Sequence, residues 1–126
     1  MHAILENLVL PDPPAASTDP YDDASFEAWI AYQEAVGALI GATARWSAEA
    51  VDFRDVAHEG SWRVVYEPSE HWSARGSVVS AEMFDPTWLD LFRAADAAIL
   101  ASGDEHHVFI ESFDPRGGML HLATGS

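Results

Sequence analysis

Histidines and carboxylates that could share a proton or a metal ion gather late in the chain, at His106, His107, Glu111 and His121. Residues 105–113 (EHHVFIESF) read as a strand, 114–118 (DPRGG) as a glycine-rich turn and 119–124 (MLHLAT) as the returning strand. That register sets Phe113 opposite Met119 and Glu111 opposite His121, within side-chain reach of each other. Adjacent strand residues point to opposite faces, so at most one of His106 and His107 joins any given pocket. His107 stands four residues from Glu111, about 13 Å along an extended strand. The hairpin alone therefore does not assemble three ligands, and a metal site would need His71 or His58 from elsewhere. His107, Glu111 and His121 are the candidate residues of a small hydrolase or metal-binding protein. A surface His–Glu pair beside a half-buried histidine explains the same residues without chemistry.

Other reaction classes find less. The chain has no cysteine, which excludes a thiolate nucleophile, a thiolate metal site and a disulfide framework. No serine stands in a Gly-x-Ser-x-Gly setting. Gly117-Gly118 occupies a hairpin turn rather than the start of a helix, so no phosphate-cradling loop is present. Among 21 carboxylates a glycosidase-like pair can be drawn almost anywhere, and drawing one carries no information. The expectation is a non-enzymatic protein with no catalytic residue and no cofactor.

Charge is the dominant feature. Twenty-one carboxylates face six cationic side chains, all arginine, for a net charge of −15. Such a field repels nucleic acid and anionic membranes and attracts basic partners. Glu67, Glu70 and Asp85 fall at strand ends or turns, Asp90 and Asp96 on a helix, and Asp104, Glu105, Glu111 and Asp114 around the last hairpin. Trp62, Trp72 and Trp88 are interleaved with them. Trp62 and Trp88 read as core residues, whereas Trp72 sits in the polar stretch SEHWSARG and is the exposed anchor. Carboxylates steer a basic partner into encounter and a few desolvated aromatics retain it. The partner surface expected from this pattern is Glu67, Glu70, Trp72, Asp85, Asp90, Asp104, Glu105, Glu111 and Asp114, closing on a basic cleft. An oligomeric accessory domain, its apolar excess covering a homodimer interface, is the remaining reading.

The elements that must position these groups are few. Apolar residues at 48% and aromatics at 11% in 126 residues suffice for one folded domain. Residues 2–10 fit a short strand or the arm of a helix, and 11–23, with four prolines, an irregular segment. A helix capped by Asp23 or Ser25 is expected to run to about Ala50. Its apolar face comprises Phe26, Trp29, Ile30, Gln33, Val36, Gly37, Ile40, Thr43 and Ala44. Gly37 and Gly41 read as a small-xxx-small pair packing on a sheet. Residues 61–67 alternate as a strand, and a second strand is expected over 77–84. Asp85-Pro86 marks a helix start, with Asp85 as N-cap, and Gly103 its end. The order helix, strand, strand, helix, strand, strand predicts an α+β domain. Its mainly antiparallel sheet has about four strands in two hairpins, with helices on one side. There is no basic segment followed by an apolar run at the start, nor an apolar stretch of about 18 residues, so a cytoplasmic protein is expected.

EHHVFIESF, a glycine turn and a short final strand ending in Gly125-Ser126 resemble the ends of small acidic bacterial immunity proteins, which neutralise secreted polymorphic toxins. The resemblance covers about the last fifth of the chain and transfers no specific residue. It implies a toxin domain as the basic partner, and because immunity families differ in architecture it implies no particular fold.

Overall fold

Two stripes run side by side along the first helix, α1 (Asp23–Ile40). Trp29, Tyr32, Val36 and Ile40 recur at three- and four-residue spacing and face the core, with Tyr32 and Val36 buried. Phe26, Ile30, Gln33 and Gly37 form the neighbouring stripe and line an open groove. Ser25, a predicted cap, lies inside the helix. The computed structural model describes residues 9–14, 23–48, 50–67, 77–103 and 105–125; residues 2–8 of the strand or helical arm expected over 2–10, and most of the proline-rich segment, lie outside these.

The helix stops ten residues before Ala50. Gly41 takes φ +68, its N–H donates to the Ala38 carbonyl at 3.2 Å, and the Ala42 N–H donates to the Gly37 carbonyl at 2.9 Å. This is the Schellman arrangement that ends helices at a left-handed residue. The freed chain becomes a short strand, β1 (Arg45–Trp46), which turns Trp46 into the core. The pair Gly37/Gly41 thus divides into a groove residue and a helix terminator, and neither packs on the sheet.

β2 (Ser61–Tyr66) matches the alternation that predicted it. The strand expected over 77–84 is broken into β3 (Val78–Val79) and β4 (Met83–Phe84), each antiparallel to β2. Ser80 causes the break. Its backbone N–H donates to the Val64 carbonyl, while its hydroxyl, rather than a carbonyl, accepts from the Val64 N–H, both at 2.8 Å. A side chain standing in for the backbone interrupts the ladder.

The second helix, α2 (Trp88–Ser102), begins two residues later than expected, with Thr87 as N-cap. Thr87 and Asp90 form a capping box, each side chain accepting from the other's backbone N–H. Its first N–H groups are taken by the loop before β2, Trp88 to the Asp55 carbonyl and Leu89 to the Phe53 carbonyl. Asp85 instead sits at φ 46 and ties back to Gly60: its carboxylate accepts from the Gly60 N–H at 2.6 Å, and its own N–H donates to the Gly60 carbonyl. Gly103 ends α2 in the left-handed conformation, as expected.

The closing hairpin joins β5 (Phe109–Arg116) to β6 (Met119–Gly125). Its turn has two residues rather than five, because Gly117 (φ 59) and Gly118 (φ 78) supply the two positive φ angles of the tight hairpin turn. Arg116 then faces Met119, Asp114 faces His121 and Phe113 faces Leu122. Pro115 is tolerated inside β5 because it falls between bonded pairs, and β1 reaches only as far as Phe109 and Ile110 on the outer side.

The sheet is mixed rather than mainly antiparallel, and among the described residues it has six strands in the order β1-β5-β6-β2-β3, with β4 also pairing β2. β1 runs parallel to β5 and β2 parallel to β6. Val64, Tyr66, Ile110, Leu120 and Leu122 project from one face into a single core shared with Val36 of α1 and Phe92, Ala95 and Ile99 of α2. Trp46 is its hub, with ring centroids 5.0 Å from Phe53, 5.5 Å from Phe92 and 6.0 Å from both Trp88 and Phe113. The α+β class holds; the parallel pairings are the feature that local pattern did not reveal. Among the described residues, no helix is long and apolar enough to cross a membrane.

Candidate functional site

The registers divide the expected partner-binding carboxylates between the two ends of the sheet. β2 and β6 run in parallel, with Val65 beside His121, so Glu67 follows β2 at the level of Ala123. Ser112 of β5 faces Ala123 from the other side, and Glu105 precedes the start of the same strand. Glu67 and Glu111 therefore lie at the end of the sheet where β2 and β6 finish and β5 begins, and Glu105 precedes β5 by four residues. All three are exposed, and none forms an ion pair among the described residues.

A bulge aims one of them. The β5–β6 register shifts between Ile110 and Ser112, leaving Glu111 as the extra residue on its strand. Its carboxyl group lies over Gly125, filling the space a side chain there would occupy. Bulge and glycine together hold this carboxylate against the sheet end. One exposed apolar side chain stands at the same end of the sheet, Val79 on β3, paired with Val65.

The carboxylates at the opposite end are occupied locally. Asp85 binds the Gly60 N–H, Asp90 completes the capping box, and Asp114 pairs with Arg116 at 3.0 Å. Asp96 of α2 is likewise structural, accepting from the Thr43 and Ala44 N–H groups at 2.9 and 2.7 Å and pinning the turn that leads into β1. Glu70, Trp72 and Asp104 lie outside the described residues, as does His71. Trp62 and Trp88 are half-buried against the core and both approach His58, tilted and edge-on with ring centroids 5.3 and 6.2 Å away, and the Trp62 indole donates to the Glu59 carbonyl at 2.7 Å.

The trio proposed for chemistry is not brought together. His121 faces Asp114, Glu111 sits across from Ala123 and Thr124, and His107 precedes β5. The two-residue turn shifts the pairing by three positions from the register that set Glu111 opposite His121, and this overturns that pair. Among the described residues, no three histidine or acidic side chains gather as a metal would require.

One ionic cluster perturbs its members. Arg54 donates to both oxygens of Asp52, at 3.0 and 2.8 Å, and reaches Asp12 at 3.4 Å. The Arg54 hydrogen bond holds the Asp52 carboxyl below its ordinary range and raises the guanidinium in turn. Burial pushes the neighbouring Tyr32 phenol upward, although its oxygen accepts from the Phe53 N–H at 3.2 Å. The Phe53–Tyr32 bond ties the loop before β2 to α1, and the Arg54–Asp12 contact ties it to the chain before that helix.

The acidic end was legible in the sequence only as scattered carboxylates, because its assembly needs the parallel β2–β6 pairing. Glu111 carried one local signal, its place in a strand that alternates poorly between Ile110 and Phe113. Comparison with known proteins finds no matching family model, no matching curated protein and no matching solved structure.

Proposed function

We propose that this chain is a non-catalytic binding module that docks its acidic sheet end onto a basic cleft of a partner protein. The observation that carries the reading is the placing of Glu67 and Glu111 at one end of the sheet, with Glu105 in the segment before β5, all exposed and without cationic partners among the described residues, in a chain of net charge −15. Unneutralised carboxylates on one rim raise the encounter rate of a cationic surface. Val79, exposed on β3 opposite Val65, offers apolar contact once the surfaces meet. The resemblance of the C-terminal stretch to immunity proteins points to a secreted toxin domain as the kind of partner, and to occlusion of its basic site as the mode of action.

The test is a stopped-flow measurement against the protein encoded beside this chain, at low and at physiological salt. The double reversal Glu67→Lys/Glu111→Lys is expected to slow association about tenfold or more at low salt and to change dissociation little. Reversal of Asp114 at the far end should leave both rates near wild type. Association that ignores salt, or equal loss from reversal at either end, overturns the reading.

A further inference from the structure

We propose that the trough between α2 and the β3–β4 edge of the sheet binds a small aliphatic monocarboxylate, held by Arg93. The trough encloses about 470 Å³, within the usual range of small-ligand sites of about 300–1,000 Å³. Residues 78–83 form one wall and residues 90–101 the other, and both segments are described throughout. Val78, Met83, Ala94 and Ala98 give it an aliphatic lining. The alanine side chains keep α2 thin on this side, which leaves room for an alkyl chain beside it.

Arg93 is the observation that points to a ligand. It lines the trough, and its Nη2 is buried and has no hydrogen-bond partner. Among the described residues it is the only buried side-chain nitrogen or oxygen in that state, and the guanidinium forms no ion pair among them. A guanidinium keeps its charge, so a nitrogen withdrawn from water with nothing to donate to destabilises the fold until an acceptor arrives.

The carboxylates that α2 itself offers are engaged elsewhere. Asp90 and Asp96 stand three residues before and after Arg93, a helical spacing at which acidic and basic side chains pair. Asp90 instead accepts from the Thr87 N–H at 2.9 Å, and Asp96 from the Thr43 and Ala44 N–H groups at 2.9 and 2.7 Å. Arg54 and Arg116, by contrast, each hold an aspartate, at 2.8 and 3.0 Å.

The chemistry of the occupant follows from these surroundings. A carboxylate takes two parallel N–H bonds from the guanidinium fork, and rotation about the terminal bonds of the arginine side chain brings Nη2 to one of its oxygens. One cation balances one negative charge, and Asp90, which lines the same trough, repels a second. The aliphatic walls take the tail. This inference does not rest on the docking reading, with which it shares only Val79.

Hexanoate, hexan-1-ol and hexylammonium separate charge from tail, and amide chemical-shift mapping of the ¹⁵N-labelled chain at neutral pH and fixed ionic strength reads them. Hexanoate should saturably shift the resonances of Val78 to Ala81, Ala94, Ala97 and Ala98. Hexan-1-ol should bind about tenfold more weakly, the effect of losing a hydrogen bond between charged groups. Hexylammonium should give no saturable shift at these amides. In Arg93→Met, hexanoate should fall to the level of hexan-1-ol, and the melting temperature should not drop, because no bond of Nη2 is lost. Ala97→Leu, at an exposed helix position, should weaken hexanoate and hexan-1-ol alike while the circular dichroism spectrum stays native. If Arg93→Met does not fold, Arg93→Lys, which keeps the charge without the fork and should bind hexanoate several-fold more weakly, carries the test with Ala97→Leu. Equal affinity for hexanoate and hexan-1-ol, unaltered hexanoate binding in the Arg93 variants or in Ala97→Leu, saturable binding of hexylammonium at these amides, shifts mapping elsewhere, or no binding at all overturns the proposal.

Discussion

Replacing Gly37 by alanine is expected to stabilise the protein, although the residue lines the groove beside α1. Alanine in a helix interior is favoured over glycine by about 1 kcal/mol, through the smaller backbone entropy lost on folding. The new methyl meets Phe92 at 3.5 Å and 3.9 Å, within ordinary contact, so no clash offsets that gain. Full burial of one such group contributes about 0.8 kcal/mol, and at a half-buried position beside the groove about half of that is realised. The expected total is about 1–1.5 kcal/mol. Unfolding entropy of about 2.1 cal/mol/K per residue makes each kcal/mol worth about 4 °C in a chain of this size, so the melting temperature should rise by about 4–6 °C. Scanning calorimetry of the two proteins at equal concentration measures it, with a urea titration confirming that the m-value is unchanged. A melting temperature that falls would mean that the helix and the Phe92 ring leave no room for a methyl group, and the reasoning about the groove wall would fail with it.

Tyr32→Phe removes the acceptor of the buried Phe53 N–H; the orphaned donor should cost about 1–2 kcal/mol, read as a lower urea midpoint at constant m-value. Asp52→Asn tests the ion pair with Arg54. Because the folded carboxyl titrates below its unfolded value, its contribution is present above pH of about 4 and is lost as pH falls through the folded pKa. The stability difference between wild type and Asp52→Asn should therefore shrink on acidification, and at neutral pH it should stay under about 1 kcal/mol because both groups are partly exposed; a difference that grows on acidification would contradict the assignment. Asp96→Ala should cost about 2–3 kcal/mol by leaving the Thr43 and Ala44 N–H groups without their acceptor. Hydrogen exchange should show the loss first at those two amides, and Asp96→Asn, which keeps the oxygen, should recover most of it.

Local signals in the sequence determined the elements whose causes are local. Alternation placed β2, Gly103 ended α2, and the glycine-rich turn marked the closing hairpin, because each rests on residues within a few positions of one another. Gly41 was an available stop signal, but Thr43 and Ala44 continued the helical period by coincidence and concealed Trp46, the hub of the core. The Asp85-Pro86 pair looked like a helix start, while the Thr87–Asp90 capping box, equally local, lay two residues on. The acidity of the chain was plain from composition. Its arrangement was not, since Glu67 and Glu111 are distant in sequence and reach the same end of the sheet only through the β2–β6–β5 pairing. Gln33 read as one polar residue in an apolar stripe; that the stripe was two stripes, one facing the core and one a groove, depended on where β1 and α2 pack. Local propensity sets which residues form helix and strand, but the burial of a side chain, and whether a carboxylate is free or occupied, follow from contacts between segments far apart in the chain, and these only the tertiary structure decided.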